Sequence, residues 1–321
     1  MPPGWLPSSR PLASQESRLA LIGNISGDTA QHRVPLRPAI NEAARGLAAA
    51  GVPSPRLDAE YLAAHILQVE RPRLALIPMV TPDQLERFHE LVGRRAQRVP
   101  LQHLTGTASM GEVDLQVGPG VFVPRPETEL IFAWGLAHLE AAGHDHPPIV
   151  VDLCTGSGAL ALSIANARPD AQVHAVEIDS TARQWAKRNA DRQAAQGDTR
   201  ITIHAGDVTD PAVLEELNGR VDILVANPPY IPAGARLDPE VAEHDPHLAL
   251  FGGPDGLSVI GPMIATIARL LRPGGVAAVE HDDSHGSRVA ALFERSGSFI
   301  DIAEHPDLAG KPRFVAARRI G

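Results

Sequence analysis

From residue 148 onward this chain alternates short β-branched apolar runs with stretches of helical periodicity, and that rhythm constrains its fold more than any other feature. Residues 149–153 (Ile-Val-Val-Asp-Leu) read as a first strand and 159–167 as its helix. Residues 171–176 with 180–194, and 201–205 with 211–217, repeat the pair before a fourth strand at 221–226. A helix at 258–271, a strand at 275–280, a helix at 288–296 and strands at 299–302 and 314–317 complete the series. Alternation of this kind predicts an α/β fold, a doubly wound parallel sheet with right-handed crossovers. Ligands of such sheets bind beyond the C-terminal ends of the strands, so the residues at those ends carry the functional argument.

Upstream the composition changes. Residues 1–36 are Pro-, Ser- and Gly-containing with little periodicity and are expected to form a poorly ordered leader. Residues 37–100 are Ala/Leu-rich, with helical spacing at 39–50, 57–69 and 82–97 and Gly51 as a helix-ending glycine. Residues 101–126 suggest a β-hairpin linker, strands 113–117 and 121–123 flanking Gly118-Pro119-Gly120. Residues 127–321 then form the main domain. A net charge of -9 argues against a protein whose affinity comes from neutralising many phosphates. The single cysteine, Cys154, excludes an intrachain disulfide and a Cys-rich metal site. No apolar run approaches a membrane span, and the N-terminus lacks a secretory signal pattern, so a soluble cytoplasmic protein is expected.

Three of the predicted strand ends carry matched chemistry. Asp152-Leu153-Cys154-Thr155-Gly156-Ser157-Gly158 turns the first strand into its helix, with glycines where backbone must approach a ligand. Glu177 ends the second strand, about twenty residues on, placed to accept the hydroxyl protons of a ribose. Asp207 and Val208 follow the third strand, an acceptor and a small apolar side chain suited to bracketing an adenine. A pyrophosphate would be repelled by Asp152, whereas the cationic methionine end of S-adenosylmethionine would not. At the fourth strand end stands Asn227-Pro228-Pro229-Tyr230. Two prolines cannot continue a strand, so the chain stops there. The Asn227 side-chain carbonyl and the Pro228 backbone carbonyl then converge on the two hydrogens of a planar NH2 group. A Pro-rich turn with no such role is the competing interpretation of these four residues taken alone.

The first-strand loop resembles the opening D-x-G-x-G-x-G motif of class I methyltransferases, with Cys154 where the family usually has its first glycine. If that position requires positive φ, Cys154 is strained. The N-P-P-Y stretch resembles that of methyltransferases acting on amide or exocyclic nitrogen. With Pro100-Leu101-Gln102-His103-Leu104-Thr105-Gly106, Val123-Pro124-Arg125-Pro126-Glu127-Thr128-Glu129 and Asp307-Leu308-Ala309-Gly310-Lys311-Pro312-Arg313, the chain resembles the release factor glutamine N5-methyltransferase family (HemK/PrmC) from about residue 36 to its end. Met110-Gly111 departs from the family's usual aromatic, and Asp245-Pro246 replaces its Glu-Pro.

The resemblance implies a seven-stranded Rossmann-like methyltransferase sheet, S-adenosylmethionine as cofactor and class I peptide-chain release factors as protein substrates, with residues 37–100 recognising the substrate. It implies catalytic roles for Asn227, Pro228 and Tyr230, and substrate contacts from these and Pro229. Cofactor contacts fall to Asp152, Cys154, Thr155, Gly156, Ser157, Gly158, Glu177, Asp207, Val208 and Asn227. Rival functions are a ribosomal-protein glutamine methyltransferase, a DNA adenine N6-methyltransferase and a non-catalytic S-adenosylmethionine-binding adaptor. The acidic total and the lack of a target-recognition region weigh against DNA. The histidine-bearing segments 144–146 and 280–285 are read as loops, and Arg125 as a partner of a ligand carboxylate, Glu127 or Glu129.

Overall fold

The computed structural model describes residues 33–141 and 146–321. The expected leader lies outside the described residues as far as residue 32, and so do His144 and Asp145. Two compact units divide the chain, one ending at residue 92 and excluding 50–52, the other comprising 50–52 and 93–321.

In the first unit, strands β1 (Val34–Pro35) and β2 (Met79–Val80) pair antiparallel. Helix α1 (Leu36–Ala49) buries Leu36, Ile40, Ala43 and Leu47 along one face, the spacing an amphipathic helix requires. Gly51 follows it at φ +75, as expected of a residue that ends a helix. Helix α2 (Pro55–Leu67) opens on a proline and closes at Gln68 in the left-handed region. Helix α3 (Pro82–Ala96) carries the buried Phe88.

The second unit begins with a short helix α4 (Leu101–Thr105) and the hairpin β3 (Thr107–Met110) and β4 (Val113–Gln116). The hairpin thus sits one strand earlier than the sequence suggests. Its turn falls at Gly111, which has φ +54 as the first residue of a primed turn must. A Cβ there would also meet Phe132 Cε1 at 2.8 Å, which accounts for glycine at this departure from the family pattern. Pro119 has no N–H to give a ladder, so Gly118-Pro119-Gly120 makes a turn and residues 121–123 continue as irregular chain.

After helix α5 (Glu129–Ala141) the sheet is built from β5 (Ile149–Leu153), β6 (Gln172–Glu177), β7 (Thr202–Ala205), β8 (Val221–Ala226), β9 (Leu271–Glu280), β10 (Phe299–Pro306) and β11 (Pro312–Arg319). Their spatial order is β10-β11-β9-β8-β5-β6-β7. All run parallel except β11, which is antiparallel to both neighbours, β10 and β9. This reversal closes the doubly wound sheet that the alternation predicts. The connecting helices are α6 (Ala159–Ala167), α7 (Ser180–Gln196), α8 (Pro239–His244), α9 (His247–Leu250), α10 (Ile260–Leu270) and α11 (Gly286–Ser296).

Side chains of the strands alternate between two apolar layers. Val150, Ile223 and Val225 face the hairpin, α5 and α6. Val151, Leu153, Leu224 and Ala226 face the opposite layer, where Ile260, Met263 and Ile267 of α10 pack with Val289 and Phe293 of α11. The helix expected at 211–217 is absent apart from one 3₁₀ turn, Glu215–Leu217; Leu214 at φ +53 breaks the helical path. Among the described residues no helix is long and apolar enough to cross a membrane.

Strand order reverses between β5 and β8, the two central strands, because the chain moves outward through β6 and β7 and then returns to the other side of β5. A crevice opens at such a switch point, and all four predicted strand ends meet around it.

Candidate active site

A cavity of about 320 Å³ occupies that crevice. Asp152, Cys154, Thr155, Gly156, Ser157, Glu177, Asp207, Val208, Asn227 and Pro229 line it, joined by Thr128 and Met110. Gly158 is not on the wall. It is the residue before α6, at φ +87, where a Cβ would stand 3.1 Å from Leu162 Cδ1. Its absent side chain lets helix and loop pack closely.

The loop from β5 is strained where the sequence predicts. Cys154 has φ +62 and Gly156 φ +58. The left-handed region costs an L-residue roughly 1–2 kcal/mol, so cysteine here is held by its surroundings. Burial, aided by Glu177 and Asp152, pushes the Cys154 thiol well above its ordinary pKa. It is a neutral packed side chain, the opposite of an activated nucleophile. Asn189 of α7, fully buried, anchors the loop from behind. Its Nδ2 donates to the carbonyls of Ser157 (2.9 Å) and Gln116 (3.0 Å), while its Oδ1 accepts from Gln116 N (2.7 Å).

Asp152 is 1% exposed. Its Oδ2 accepts from Thr155 Oγ1 at 2.5 Å and Ala161 N at 3.1 Å, whereas Oδ1 has no partner. Burial raises its pKa to about 7, and the Glu177 charge adds to the effect. An unpartnered buried carboxylate oxygen at the cavity wall is a fitting counter-charge for a ligand cation. Glu177 accepts from Gly156 N and Asp179 N, both at 2.9 Å, one on each oxygen. Each oxygen retains a second lone pair for a ligand hydroxyl. Burial raises its pKa too. Asp207 Oδ1 accepts from Thr209 N and Oγ1, which fixes the loop carrying the buried Val208. The donor set therefore fits a nucleoside with an amino-acid-like cationic end. Among the described residues no group of three or more His, Cys, Asp or Glu side chains is placed to hold a metal ion.

Asn227 also lines a second cavity of about 420 Å³, with Phe122, Arg125, Tyr230, Arg236 and Leu237 among its walls. Asn227 thus stands at the junction of the two spaces. Its Nδ2 donates to Thr128 Oγ1 (3.0 Å), and Thr128 Oγ1 donates to Glu280 Oε2 (2.8 Å). Tyr230 OH donates to Glu280 Oε1 (3.0 Å). Burial raises Glu280 to about 7 and lifts Tyr230 well above the usual phenol range. Pro228 is buried between them in the chain. Arg125 pairs with Asp245 and stacks over Phe122 at 4.9 Å, so its partner is neither Glu127 nor Glu129. Sequence reasoning missed Thr128 and Glu280 as neighbours of Asn227. The one signal was that Thr128 lies in the Pro-Arg-Pro-Glu-Thr-Glu stretch and Glu280 at a strand end.

A switch-point nucleoside pocket opening through an amide-bearing strand end defines an S-adenosylmethionine-dependent methyltransferase. The family model described as PrmC N-terminal domain matches residues 38–106, and the one described as Methyltransferase small domain matches residues 136–244. A release factor glutamine methyltransferase of Mycolicibacterium smegmatis is 53% identical over 89% of this chain and 98% of its own length. The protein of that name from Mycobacterium tuberculosis is 49% identical over 89% of this chain and 92% of its own. That of Streptomyces coelicolor is 46% identical over 87% and 96% respectively. The chain belongs to the release factor glutamine methyltransferase family.

Proposed function

We propose that this protein transfers a methyl group from S-adenosylmethionine to the side-chain amide nitrogen of the glutamine in the Gly-Gly-Gln motif of class I peptide-chain release factors. The observation that carries this reading is the position of Asn227, on the wall of both the nucleoside cavity and its neighbour. Asp152 would hold the cationic methionine end, Glu177 the ribose hydroxyls, and Asp207 with Val208 the adenine, while Thr155, Gly156 and Ser157 supply the loop beneath. When bound, the cofactor supplies an electrophilic methyl group on a sulfonium.

What remains is to make a carboxamide nitrogen nucleophilic, since its lone pair is delocalised into the carbonyl. Asn227 Oδ1 and the Pro228 carbonyl accept the two amide hydrogens, which fixes the nitrogen's rotation and favours its pyramidal form. Such positioning is worth roughly 7–11 kcal/mol of barrier in favourable cases. Pro229 stiffens the loop, and Tyr230, held through its hydroxyl by Glu280, offers its ring to the amide plane. Residues 37–100 serve recognition of the release factor, and residues 127–321 the chemistry, with the hairpin linker between.

Mass spectrometry of unmethylated release factor after incubation with the protein and S-adenosylmethionine tests the proposal. One added methyl on the Gly-Gly-Gln glutamine is the expected result. Label entering ribosomal protein or DNA instead would move the substrate, and no transfer despite cofactor binding would refute the enzymatic reading. Asn227→Ala should abolish turnover while leaving cofactor affinity nearly intact.

A further inference from the structure

Behind Asn227 lie two buried polar side chains. Thr128 is 3% and Glu280 2% exposed. The connections run Asn227 Nδ2 to Thr128 Oγ1, Thr128 Oγ1 to Glu280 Oε2, and Tyr230 OH to Glu280 Oε1. With Glu280 ionised, the chemistry of these groups allows one assignment of protons. A carboxylate only accepts, so Glu280 takes the single protons of both Tyr230 and Thr128. The Thr128 hydroxyl is then left with lone pairs alone for its other neighbour. That neighbour must donate, which turns the NH2 end of Asn227 toward Thr128 and its Oδ1 away.

We propose that Thr128 and Glu280 are positioning residues that fix the polarity of the Asn227 carboxamide. An asparagine without that partner is loose in the site and can turn its own NH2 toward the substrate amide, donor facing donor. With Glu280 ionised the relay removes that state, and the same carboxylate holds the Tyr230 ring. The inference rests on the function proposed above, and it concerns residues that do not themselves touch the reacting nitrogen. It also explains why two polar groups are buried here at all: a desolvated network is tolerated where every member is paired.

Three substitutions separate polarity from packing. Thr128→Val keeps the shape and deletes the hydroxyl. Thr128→Ser keeps the hydroxyl and deletes a methyl. Glu280→Gln keeps the shape but holds one acceptor and one NH2, so Thr128 is no longer forced to donate to it and can turn its proton to Asn227. Steady-state methylation of release factor should show kcat reduced about 100-fold in Thr128→Val, the scale of a catalytic group misplaced by about 1 Å, and a smaller loss in Glu280→Gln, whose amide can sit either way. Thr128→Ser should stay within about threefold of wild type, because its hydroxyl preserves the relay. Circular dichroism and the thermal unfolding midpoint report that each variant is folded, and S-adenosylmethionine affinity should change little in Glu280→Gln, whose side chain is not on the cavity wall. Wild-type kcat in Thr128→Val would overturn the inference, as would equal losses in Thr128→Ser and Thr128→Val. If Glu280→Gln does not fold, the threonine pair decides alone. A wild-type enzyme that leaves the glutamine unmethylated sinks the underlying function. Collapse in Asn227→Ala with full activity in Thr128→Val sinks only the relay.

Discussion

Acidifying the solution should weaken cofactor binding mainly through Asp152, and the size of the effect follows from its surroundings. In the free protein burial holds the carboxyl at a pKa of about 7, with one oxygen unpartnered on the cavity wall. A cationic ligand binds the ionised form. With that pKa, roughly half the molecules are ionised at pH 7, about 9% at pH 6 and about 1% at pH 5. Affinity should therefore fall about fivefold from pH 7 to 6 and about ninefold more to pH 5, together roughly 2.3 kcal/mol. The ligand's own α-ammonium stays protonated through this range, since α-amino groups titrate at roughly 7.7–8.0. Calorimetric titration with S-adenosylmethionine at each pH reads the slope directly. Asp152→Asn should bind weakly at every pH and show almost no slope. Glu177→Gln should keep the slope but shift its midpoint downward, because the Glu177 charge helps to raise Asp152. Affinity that is flat from pH 5 to 7 in the wild type, or a slope that persists in Asp152→Asn, would refute the assignment of Asp152 to the cation.

Two further outcomes test the loop that carries the site. Cys154→Gly should leave the unfolding midpoint nearly unchanged: relief of roughly 1–2 kcal/mol of left-handed strain is offset by the greater freedom of glycine in the unfolded chain, about 0.4–1 kcal/mol, and by lost side-chain burial. Cys154→Val puts a β-branched residue at φ +62 and should destabilise by up to about 3 kcal/mol; a denaturant midpoint equal to wild type would contradict the strain argument. Asn189→Ala strands the backbone groups of Gln116 and Ser157 that its amide now satisfies. A loss of about 1–3 kcal/mol in chemical denaturation is expected, with weaker cofactor binding because the loop beneath the ligand is released.

The strand ends that line the switch-point cavity were legible in the sequence because each of them is local. A strand, a turn and one acid within a few residues suffice to place Asp152, Glu177 and Asp207, and the family's usual glycine at position 154 pointed to the φ of +62 that Cys154 adopts. The strand pairing around Gly118-Pro119-Gly120 misled because glycine and proline mark a turn without saying which strands it joins; Gly111, paired with Phe132 in space, held the information instead. Helical spacing at 211–217 likewise competes with a left-handed Leu214 that no propensity reveals. Thr128 and Glu280 were hidden for a different reason. Both sit in motifs that local reasoning assigned elsewhere, one to a proline-rich segment and the other to a histidine-bearing loop, and their contact follows only from the sheet order.

The bond between Thr128 and Glu280 joins positions 152 residues apart in sequence. Closing a loop of that length costs chain entropy, which the packing of the strands between must offset. A growing polypeptide that has emerged only as far as Asn227 already contains the residues of β5 to β8, yet lacks the strand that brings Glu280 to its threonine. The support behind Asn227 is thus complete only once β9, which carries Glu280, has been made.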